Sequence, residues 1–344
     1  MKAKWSSEGD MRASEDEVRA LRQGAGVCLR EDRAVLRLSG VDRVRFLNGM
    51  VTNDVTTLTP GLGLRAIKTT QKGRIEGVLR IRALDDAFEI DLDRAVKDRV
   101  IESFERLIIM DDCAIADHPD SLATLTVLGP NAGAVLEAAG FTMRPSVPHA
   151  SVRAPDGVVI VRDDGFGVLG YDLLVSQAGR DALLARVVAS GAQSVSVDAL
   201  DVLRVEAGCP RDGVDLEEDT IPMEARLEDA ISMTKGCYVG QEVIARATNL
   251  GGIKHILVGL RFGPLSAAKR PAQGAVLRLA ADGRETGHVT SAVFSFALGE
   301  VIALGYVRKA DDAPGTKLRV ATDDGTECDA TIATLPFLPS LSVA

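Results

Sequence analysis

The sequence of 344 residues predicts an α+β protein, with a mixed part that ends near residue 245 and an all-β domain after it. Three observations support this fold class. Residues 93–110 carry apolar side chains at helical spacing, which is typical of an amphipathic helix. Strand-like and helix-like patterns then alternate through residues 121–245. From residue 255 onward, only short β-type runs occur between Gly, Pro and Asp turns, as in a small β-barrel or sandwich.

The N-terminal elements follow from local signals. Ser14 and Glu17 have the spacing of a capping box, so a short helix is expected to begin there and to stop at Gly24. Residues 26–40 read as two short strands around an Asp-containing turn.

The next segment predicts a second helix. Val41, Val44 and Leu47 lie at helical spacing, and Asn48-Gly49 is a typical turn sequence that would end the helix.

The middle of the chain contains the string GFGVLG at residues 165–170. It formally matches the dinucleotide fingerprint G-x-G-x-x-G, but that motif must open a helix. Here the strand-like YDLLVS follows, so we expect a hairpin. Pro130 suits a helix start after the strand near 121–128, and two more helices are predicted in 181–191 and 196–208.

Six β-type runs follow the glycines of the segment NLGGIK, and we place a domain boundary near 245–255. No convincing helix is evident after that boundary. The runs occupy residues 256–262, 274–280, 285–295, 301–309, 316–322 and 327–335.

Composition excludes several function classes. The chain has 49 acidic and 40 basic residues, a formal charge of −9, which argues against direct nucleic-acid binding. The N-terminus has no apolar core of a signal peptide, and no apolar run approaches the ~20 residues of a membrane helix. Five cysteines and four histidines are scattered without metal-ligand spacing, so no metal site is expected. We expect a cytoplasmic protein that does not bind membranes.

Two segments carry the candidate chemistry. In residues 201–230, Glu206 lies between Val205 and Ala207 at the end of an apolar segment, close to Arg204. A carboxylate near a core often accepts two hydrogen bonds from a planar donor pair, such as the edge of a pterin or a guanine. In TKGCYVGQEVIAR, residues 234–246, Cys237 follows Gly236 on an expected turn. It is either a reactive thiol or a small side chain that fills the turn.

These residues together resemble the folate-binding YgfZ family, a branch of the superfamily headed by the glycine-cleavage T-protein, an aminomethyltransferase. FLNGMVTNDV at 46–55 is similar to the family's N-terminal motif, and LRVEAGCPRDGVDLEEDTIPMEA at 203–225 to its R-x-E-x-G…G-x-D…P-x-E core. KGCYVGQEVIAR at 235–246 resembles the signature that separates YgfZ-like proteins from aminomethyltransferases. The resemblance covers most of the chain.

The resemblance implies two intertwined α/β folate-binding domains within residues 15–245, one formed by about 15–51 with 121–245 and the other by 52–120. Residues 246–344 would form a C-terminal β-barrel. The three units would be arranged as a cloverleaf around a central hole that binds tetrahydrofolate.

The resemblance also assigns roles to residues. Glu206 aligns with the carboxylate that holds the pterin ring, and Cys237 with the cysteine important for activity, whose thiolate the nearby Lys235 would favour. Further predicted folate contacts are Arg204 and Asn53, with Arg246 or Lys254 for the anionic glutamate tail. The remaining predicted motif residues are Gly236, Gly240, Gln241 and Glu242.

One departure bears on the reaction. Aminomethyltransferases carry an Asp-Asp pair after a Gly-rich turn, whereas Glu76 is the only acid in KGRIEGVLR, residues 72–80. A longer side chain would displace the carboxylate, which catalytic geometry rarely tolerates. Glu76 is therefore a weak catalytic candidate, and the resemblance argues against a true aminomethyltransferase.

The leading functional hypothesis is a tetrahydrofolate-binding protein that supports assembly or repair of iron–sulfur enzymes. Its partners would be a folate and iron–sulfur client or assembly proteins, and effects on tRNA modification would be indirect. Two alternatives stay open: a folate-dependent one-carbon transferase that uses Glu76, and an interaction scaffold with a vestigial folate hole.

Overall fold

The computed structural model describes residues 13–118, 121–250, 252–263, 270–321 and 326–340. Residues 1–12 of the N-terminal segment and Gly251 of the predicted domain boundary lie outside the described residues. The helices of the described residues are α1 Glu15–Gln23, α2 Arg43–Met50, α3 Lys97–Glu105, α4 Ala132–Ala138, α5 Arg180–Ala189, α6 Val197–Glu206 and α7 Gln241–Leu250.

The strands form two open sheets and a closed barrel. They are β1 Gly26–Leu29, β2 Arg33–Ser39, β3 Gly63–Thr69, β4 Ile75–Ala83, β5 Ala87–Asp93, β6 Ala114–Asp117, β7 Leu122–Leu128, β8 Ser151–Arg153, β9 Val159–Arg162, β10 Gly170–Ser176, β11 Gln193–Ser194, β12 His255–Arg261, β13 Val276–Leu279, β14 Glu285–Ser295, β15 Glu300–Arg308, β16 Lys317–Ala321 and β17 Glu327–Ala333. The α+β fold class and the C-terminal barrel are therefore confirmed.

The first sheet has the strand order β11-β1-β7-β10-β9-β8, and the second has the order β3-β4-β5-β2-β6. In the first sheet, β7 and β10 pair antiparallel with Leu125 opposite Leu173. In the second, β2 and β5 pair antiparallel with Leu36 opposite Ile90. Helices α4 and α5 cover the first sheet, and α2 and α3 cover the second, so each sheet has its own apolar core.

The barrel closes in the order β12-β15-β14-β13-β16-β17, with β17 pairing back to β12. Each predicted β-type run of the C-terminal part contains one of its strands. Apolar side chains such as Leu260, Leu277 and Leu318 fill its interior. Closure leaves no unpaired sheet edge, which suits a chain of short strands.

The structure refines or corrects four local expectations. For the first, the two predicted strands are present as β1 and β2, and they lie in different sheets. β1 pairs with β7 and β11 in the first sheet, and β2 pairs with β5 and β6 in the second. Residues 33–39 thus belong to the second sheet, although they precede residue 52, where the predicted second unit begins.

The second correction concerns the buried face of α2. Val41 precedes the helix and is 79% exposed, and Val44 is 37% exposed. The buried face is formed by Phe46 and Leu47, which pack on the core of the second sheet. The spacing of the valines was therefore misleading, because they lie on the solvent side.

The third correction is the length of α3. The helix covers Lys97–Glu105 rather than residues 93–110, with Val100 and Phe104 buried. It ends in a tighter turn in which Leu107 N–H donates to Phe104 O at 2.9 Å. Leu107 still packs on the core of the second sheet from the turn after the helix, which explains the longer apolar stripe.

The fourth correction is helix α7, which crosses the predicted boundary at 245/246. Ile244 and Ala247 are buried on one of its faces, against Tyr238 and the second sheet. The helix ends at Leu250, and the barrel begins at His255.

Candidate functional site

Helix α6 places three charged side chains inside the molecule. Every residue from Ala199 to Glu206 is buried, because the helix packs against α1 on one side and the barrel on the other. Buried charges must be paired to be tolerated. Arg204 donates to Asp201 at 2.5 Å, to Asp215 at 2.7 Å and to Ser291 Oγ at 2.7 Å.

Arg204 is thus held by partners from three segments. Burial acts to lower the pKa of Arg204, but Asp215 and Asp201 outweigh it and raise that pKa. The predicted folate contact at Arg204 is a side chain whose donors are already engaged with the protein.

Glu206 is completely buried, as the sequence leads one to expect for a carboxylate near a core. Its Oε2 accepts from both Arg22 Nε, at 3.0 Å, and Arg22 Nη2. Its Oε1 accepts from Ser295 Oγ at 2.5 Å. Glu206 borders a small cavity of about 110 Å³, together with Arg22 and residues 336–340.

A larger cavity of about 460 Å³ lies next to it. The two cavities share the residues Gly165, Phe166 and Cys209. We call the larger one the central cavity, because the second sheet, loops that adjoin the first sheet, and α6 contribute to its wall. Its lining residues are Arg30, Asp32, Arg33, Arg65, Val78, Arg80, Asp93, Pro148, His149, Asp163, Asp164, Gly165, Phe166, Val197, Leu200, Asp201, Arg204, Cys209, Pro210, Arg211, Asp212 and Asp229.

The GFGVLG string forms part of this wall. Strands β9 and β10 pair antiparallel, so the string lies in the predicted hairpin and does not open a helix. Asp163 N–H donates to Gly170 O at 3.0 Å and closes the loop. Gly167 has a φ of +69°, a conformation that favours glycine. The loop carries the aromatic ring of Phe166 to the cavity.

The charges of the central cavity are nearly balanced, with six arginines and seven aspartates. Arg80 of β4 connects the two sheets, since it donates to Asp91 of the second sheet at 3.2 Å and to Asp172 of the first at 2.9 Å, and also contacts Asp163. Burial raises the pKa of Asp172. Burial opposes ionisation of Asp91 too, but Arg33 and Arg80 hold its pKa below the usual range.

Two arginines of the lining are held more loosely. Arg65 contacts Asp229 at 3.3 Å, and Arg211 contacts Asp201 at 3.4 Å. Their side chains are 25% and 34% exposed, against 15% for Arg80. These two guanidinium groups are therefore the more accessible cations of the central cavity.

Two polar atoms of the lining lack partners among the described residues: Asp212 Oδ1 and His149 Nδ1, both buried. Burial, with the neighbouring charge of Asp93, raises the pKa of Asp212 to about 7. Burial lowers the pKa of His149, which favours the neutral imidazole. His149 also has a φ of +64°, which is uncommon outside glycine and concentrates at functional sites.

Glu76 does not line the central cavity. It is buried, and its Oε2 accepts from Lys68 Nζ at 2.9 Å and from Ser103 Oγ at 2.6 Å. Burial would raise its pKa, but these two donors outweigh burial and lower it. The carboxylate is thus an ionised member of an internal ion pair.

The loop around Cys237 is fixed on both sides of an exposed apex. Lys235 Nζ donates to the backbone carbonyls of Asn48, Val51 and Asn53 at 2.6–2.8 Å. On the other side, Val239 N–H donates to Gly49 O at 3.0 Å. Cys237 itself is exposed.

Lys235 differs from its predicted role. Its ammonium group is buried and engaged with carbonyls, and burial lowers its pKa to about 8. The three hydrogen bonds indicate that Lys235 fixes the loop, and none of them goes to the thiol of Cys237.

The other predicted residues are distributed around this loop. Asn53 donates from Nδ2 to Arg65 O at 2.8 Å, so it adjoins a lining residue of the central cavity. Gly236 is exposed, and Gly240 has a φ of +86°. Gln241 and Glu242 begin α7.

The two cations predicted to bind a glutamate tail lie outside both cavity walls. Arg246 is 66% exposed and pairs with Glu242 one turn away at 2.9 Å. The backbone N–H of Lys254 donates to Glu224 Oε1 at 3.3 Å.

Sequence reasoning missed Asp212, His149, Arg65, Arg211 and Phe166 as cavity residues. Asp212 and Arg211 lie inside the quoted core motif, so their position between Pro210 and Gly213 was an available signal. His149, Arg65 and Phe166 reach the wall from distant segments, and nothing in their local sequence indicates it.

Among the described residues, no helix is both long and apolar enough to cross a bilayer. The described part of the chain likewise has no group of three or more His, Cys, Asp or Glu side chains that could hold a metal ion.

Comparison with known proteins gives two family matches. A family model described as "GCVT N-terminal domain" matches residues 3–235, and one described as "Glycine cleavage T-protein C-terminal barrel domain" matches residues 257–338.

Similar proteins include "tRNA-modifying protein YgfZ" of Yersinia enterocolitica. It is 30% identical over 312 residues, which cover 89% of this chain and 91% of that protein. "Aminomethyltransferase" of Rubrobacter xylanophilus is 28% identical over 311 residues, 89% of this chain and 82% of that protein. The fold is similar to the crystal structure of glycine cleavage system aminomethyltransferase T from Bartonella henselae, with a TM-score of 0.86, 23% identity and coverage of 94% of this chain and 89% of that one.

Proposed function

Because the chain belongs to the glycine cleavage T-protein family, we propose that it binds a tetrahydrofolate in the central cavity. The observation that carries this proposal is the cavity itself. Its volume of about 460 Å³ lies in the range of small-molecule sites, which is roughly 300–1,000 Å³. It combines apolar surfaces with convergent polar groups, the pattern expected for such a site.

The apolar lining suits a flat heterocycle. Phe166, Val78 and Leu200 come from the hairpin loop, the second sheet and α6, so a ring between them would contact three separate elements. Aromatic and aliphatic surfaces stabilise a pterin by apolar burial and offset stacking.

Glu206 stays a proposed pterin contact, but this contact requires a rearrangement of its present partners. Both of its oxygens are already hydrogen-bonded, so a ligand could bond to it only if Arg22 or Ser295 moved. The adjoining cavity of about 110 Å³ is too small for a pterin with its tail.

The anionic tail of a folate needs accessible cations. Arg65 and Arg211 are the loosely held guanidinium groups of the cavity, and a guanidinium matches a carboxylate in two parallel hydrogen bonds. We therefore assign the tail to these two residues in preference to Arg246 and Lys254, which lie outside the cavity wall.

Titration calorimetry tests this proposal. The wild-type protein should bind tetrahydrofolate with one-to-one stoichiometry. Arg65→Met and Arg211→Met should each weaken that binding about tenfold, since a hydrogen bond to a charged group contributes about 1.5–3 kcal/mol. Neither variant should weaken binding of a reduced pterin that lacks the tail. The absence of any binding to the wild-type protein would contradict the proposal.

We further propose that the folate-bound protein supports assembly or repair of iron–sulfur enzymes, with indirect effects on tRNA modification. The relatives named YgfZ and the exposed Cys237 support this extension. The net charge of −9 favours the indirect route, because a protein that grips RNA usually has a basic surface.

Hydrogen bonds link the Cys237 loop to a residue that lines the proposed folate site. Lys235 Nζ donates to Asn53 O, and Asn53 Nδ2 donates to Arg65 O, which belongs to a cavity-lining residue. Two hydrogen bonds through Asn53 therefore connect the loop with Arg65 of the cavity wall.

Replacement of the thiol tests the extension. Cys237→Ala should fold and bind tetrahydrofolate like the wild type, because the side chain is exposed. In cells that lack the wild-type protein, this variant should fail to restore iron–sulfur enzyme activity. Cys113→Ala, a change at a half-buried cysteine outside the motif, should restore it. Full rescue by Cys237→Ala would refute the role of the thiol.

The competing function is one-carbon transfer from an aminomethyl, N-methyl or S-methyl donor to tetrahydrofolate. Its sequence candidate, Glu76, is bound to Lys68 and Ser103 and does not line the central cavity, which disfavours that role. Incubation of the protein with tetrahydrofolate and such donors should yield no methylene- or methyl-tetrahydrofolate at catalytic turnover. Turnover would favour the transferase.

A further inference from the structure

Asp212 holds a carboxylate oxygen in the wall of the central cavity without a hydrogen bond from the described residues. The residue is 3% exposed and belongs to the cavity lining. Its Oδ2 accepts from Val78 N–H at 2.9 Å, whereas its Oδ1 is buried and has no hydrogen-bond partner. One oxygen is thus used by the fold and the other is not.

The backbone around Asp212 is firmly held. Asp215 N–H donates to Arg211 O at 2.9 Å, and Arg211 N–H donates back to Asp215 Oδ2 at 3.0 Å. Asp215 is fixed in turn by Arg204 and by Thr290 of the barrel. This network fixes the backbone next to Asp212, and the bond from Val78 N–H fixes its Oδ2.

A buried acceptor without a partner is costly. Leaving such a group unpaired disfavours the folded state by about 1–3 kcal/mol, and native proteins keep few of them. Glu206, a buried carboxylate at the small cavity, shows the usual outcome, since both of its oxygens are bonded. A ligand that brought an N–H donor to Asp212 would satisfy the acceptor.

We infer that Asp212 Oδ1 accepts hydrogen bonds from ligand N–H groups in the central cavity. The ligand class is a heterocycle that presents a ring N–H beside an exocyclic amine, such as the pterin edge, so the inference rests on the proposed folate binding. The raised pKa of Asp212 agrees with this assignment, because a carboxylate with a missing donor is harder to ionise.

A purely structural role of Asp212 would tolerate a different side chain. If Asp212 only holds Val78 N–H, one carbonyl-type oxygen suffices, and asparagine would serve equally well. Asp212→Asn keeps an acceptor for Val78 N–H and turns the atom that has no hydrogen-bond partner into an N–H donor. The variant therefore separates the two roles without enlarging the cavity.

Calorimetry with tetrahydrofolate at pH 8 gives the test. Asp212→Asn should bind about 10- to 100-fold more weakly than the wild type, because two donors would face each other. Asp117→Asn, which removes the same charge at an exposed ion pair with Lys97, should bind within about twofold of the wild type. Thermal unfolding of each variant checks its folding.

A ligand change provides a second measurement that does not depend on the folding of a variant. The wild type should bind a tetrahydrofolate analogue with methyl in place of the exocyclic amine at least about tenfold more weakly than tetrahydrofolate. Undiminished affinity for that analogue, or equal affinities of Asp212→Asn and wild type for tetrahydrofolate, would overturn the role assigned to Asp212. The proposed folate binding would stand in either case. A wild type that binds no tetrahydrofolate would overturn the proposed function together with this inference.

Discussion

At the scale of single residues, two buried carboxylates near the cavities differ in their partners. Glu206 is bonded through both oxygens to Arg22 and Ser295. Asp212 has one oxygen on Val78 and one without a partner among the described residues. Because a fold pairs the polar groups that serve only its stability, the difference points to Asp212 as a group that can accept a hydrogen bond from a ligand without first losing a partner.

The titration of Asp212 gives a prediction for stability. Its native pKa of about 7 exceeds the ordinary value of 3.8. Burial and the charge of Asp93 raise this pKa, and they outweigh Arg33 and Arg99, which lower it. The native state therefore binds the proton more tightly, and this group stabilises the fold fully below about pH 4 and progressively less up to pH 7. The loss amounts to about 4 kcal/mol, at about 1.4 kcal/mol per pKa unit.

Urea unfolding of wild type and Asp212→Asn between pH 4 and pH 8 measures this effect. The free energy of unfolding of the variant, minus that of the wild type, should rise with pH across this window. The comparison cancels the contributions of the other carboxylates, many of which have lowered pKa values and act in the opposite direction. A difference that stays constant with pH would show that Asp212 titrates normally.

At the scale of elements, the Cys237 loop and α7 form one continuous unit. Lys235 anchors the loop to the end of α2, and Thr69 Oγ1 at the end of β3 donates to Val239 O at 2.7 Å before α7 begins. The apex with Cys237 is thus held by two rigid ends, as expected for a side chain that must be presented at a fixed position.

The two glycines of this loop give a matched pair of variants. Gly240 has a φ of +86°, and a Cβ there would lie 2.6 Å from Thr70 O. Gly240→Ala should therefore lower the free energy of unfolding by about 2–4 kcal/mol through backbone strain and overlap. A Cβ at Gly236 would have no neighbouring atom within 4 Å, and the backbone there lies outside the left-handed region. Gly236→Ala should change stability by less than about 1 kcal/mol.

Urea denaturation compares the two variants directly. Equal stabilities of Gly240→Ala and Gly236→Ala would contradict the tight packing of the loop against the second sheet.

The elements were largely predictable where their signals are local. The capping box of α1 is present, with Glu17 N–H donating to Ser14 Oγ at 3.2 Å, and each β-type run after residue 255 contains a barrel strand. The apolar stripe near residue 100 located α3 but not its end. Helix α7 was missed, because only Ile244 and Ala247 form its buried face and the glycines after it resembled a linker.

At the scale of the whole molecule, the cavity is a product of tertiary contacts. Arg80 links the two sheets, and α6 lies between the first sheet's unit and the barrel. Sequence reasoning could identify the core motif at 203–225 and the burial of Glu206. It could not bring His149, Arg65 and Phe166 to the same wall, because residues far apart in sequence meet there only in the folded chain.

A crystal structure of the protein with 5-formyl-tetrahydrofolate tests most directly whether the central cavity is the folate site. We expect the pterin ring beside Phe166, with its N–H edge within hydrogen-bond distance of Asp212 Oδ1, and the glutamate tail near Arg65 and Arg211. A ligand bound at another surface, with the cavity between the 163–167 hairpin and residues 209–212 unoccupied, would contradict the proposed site.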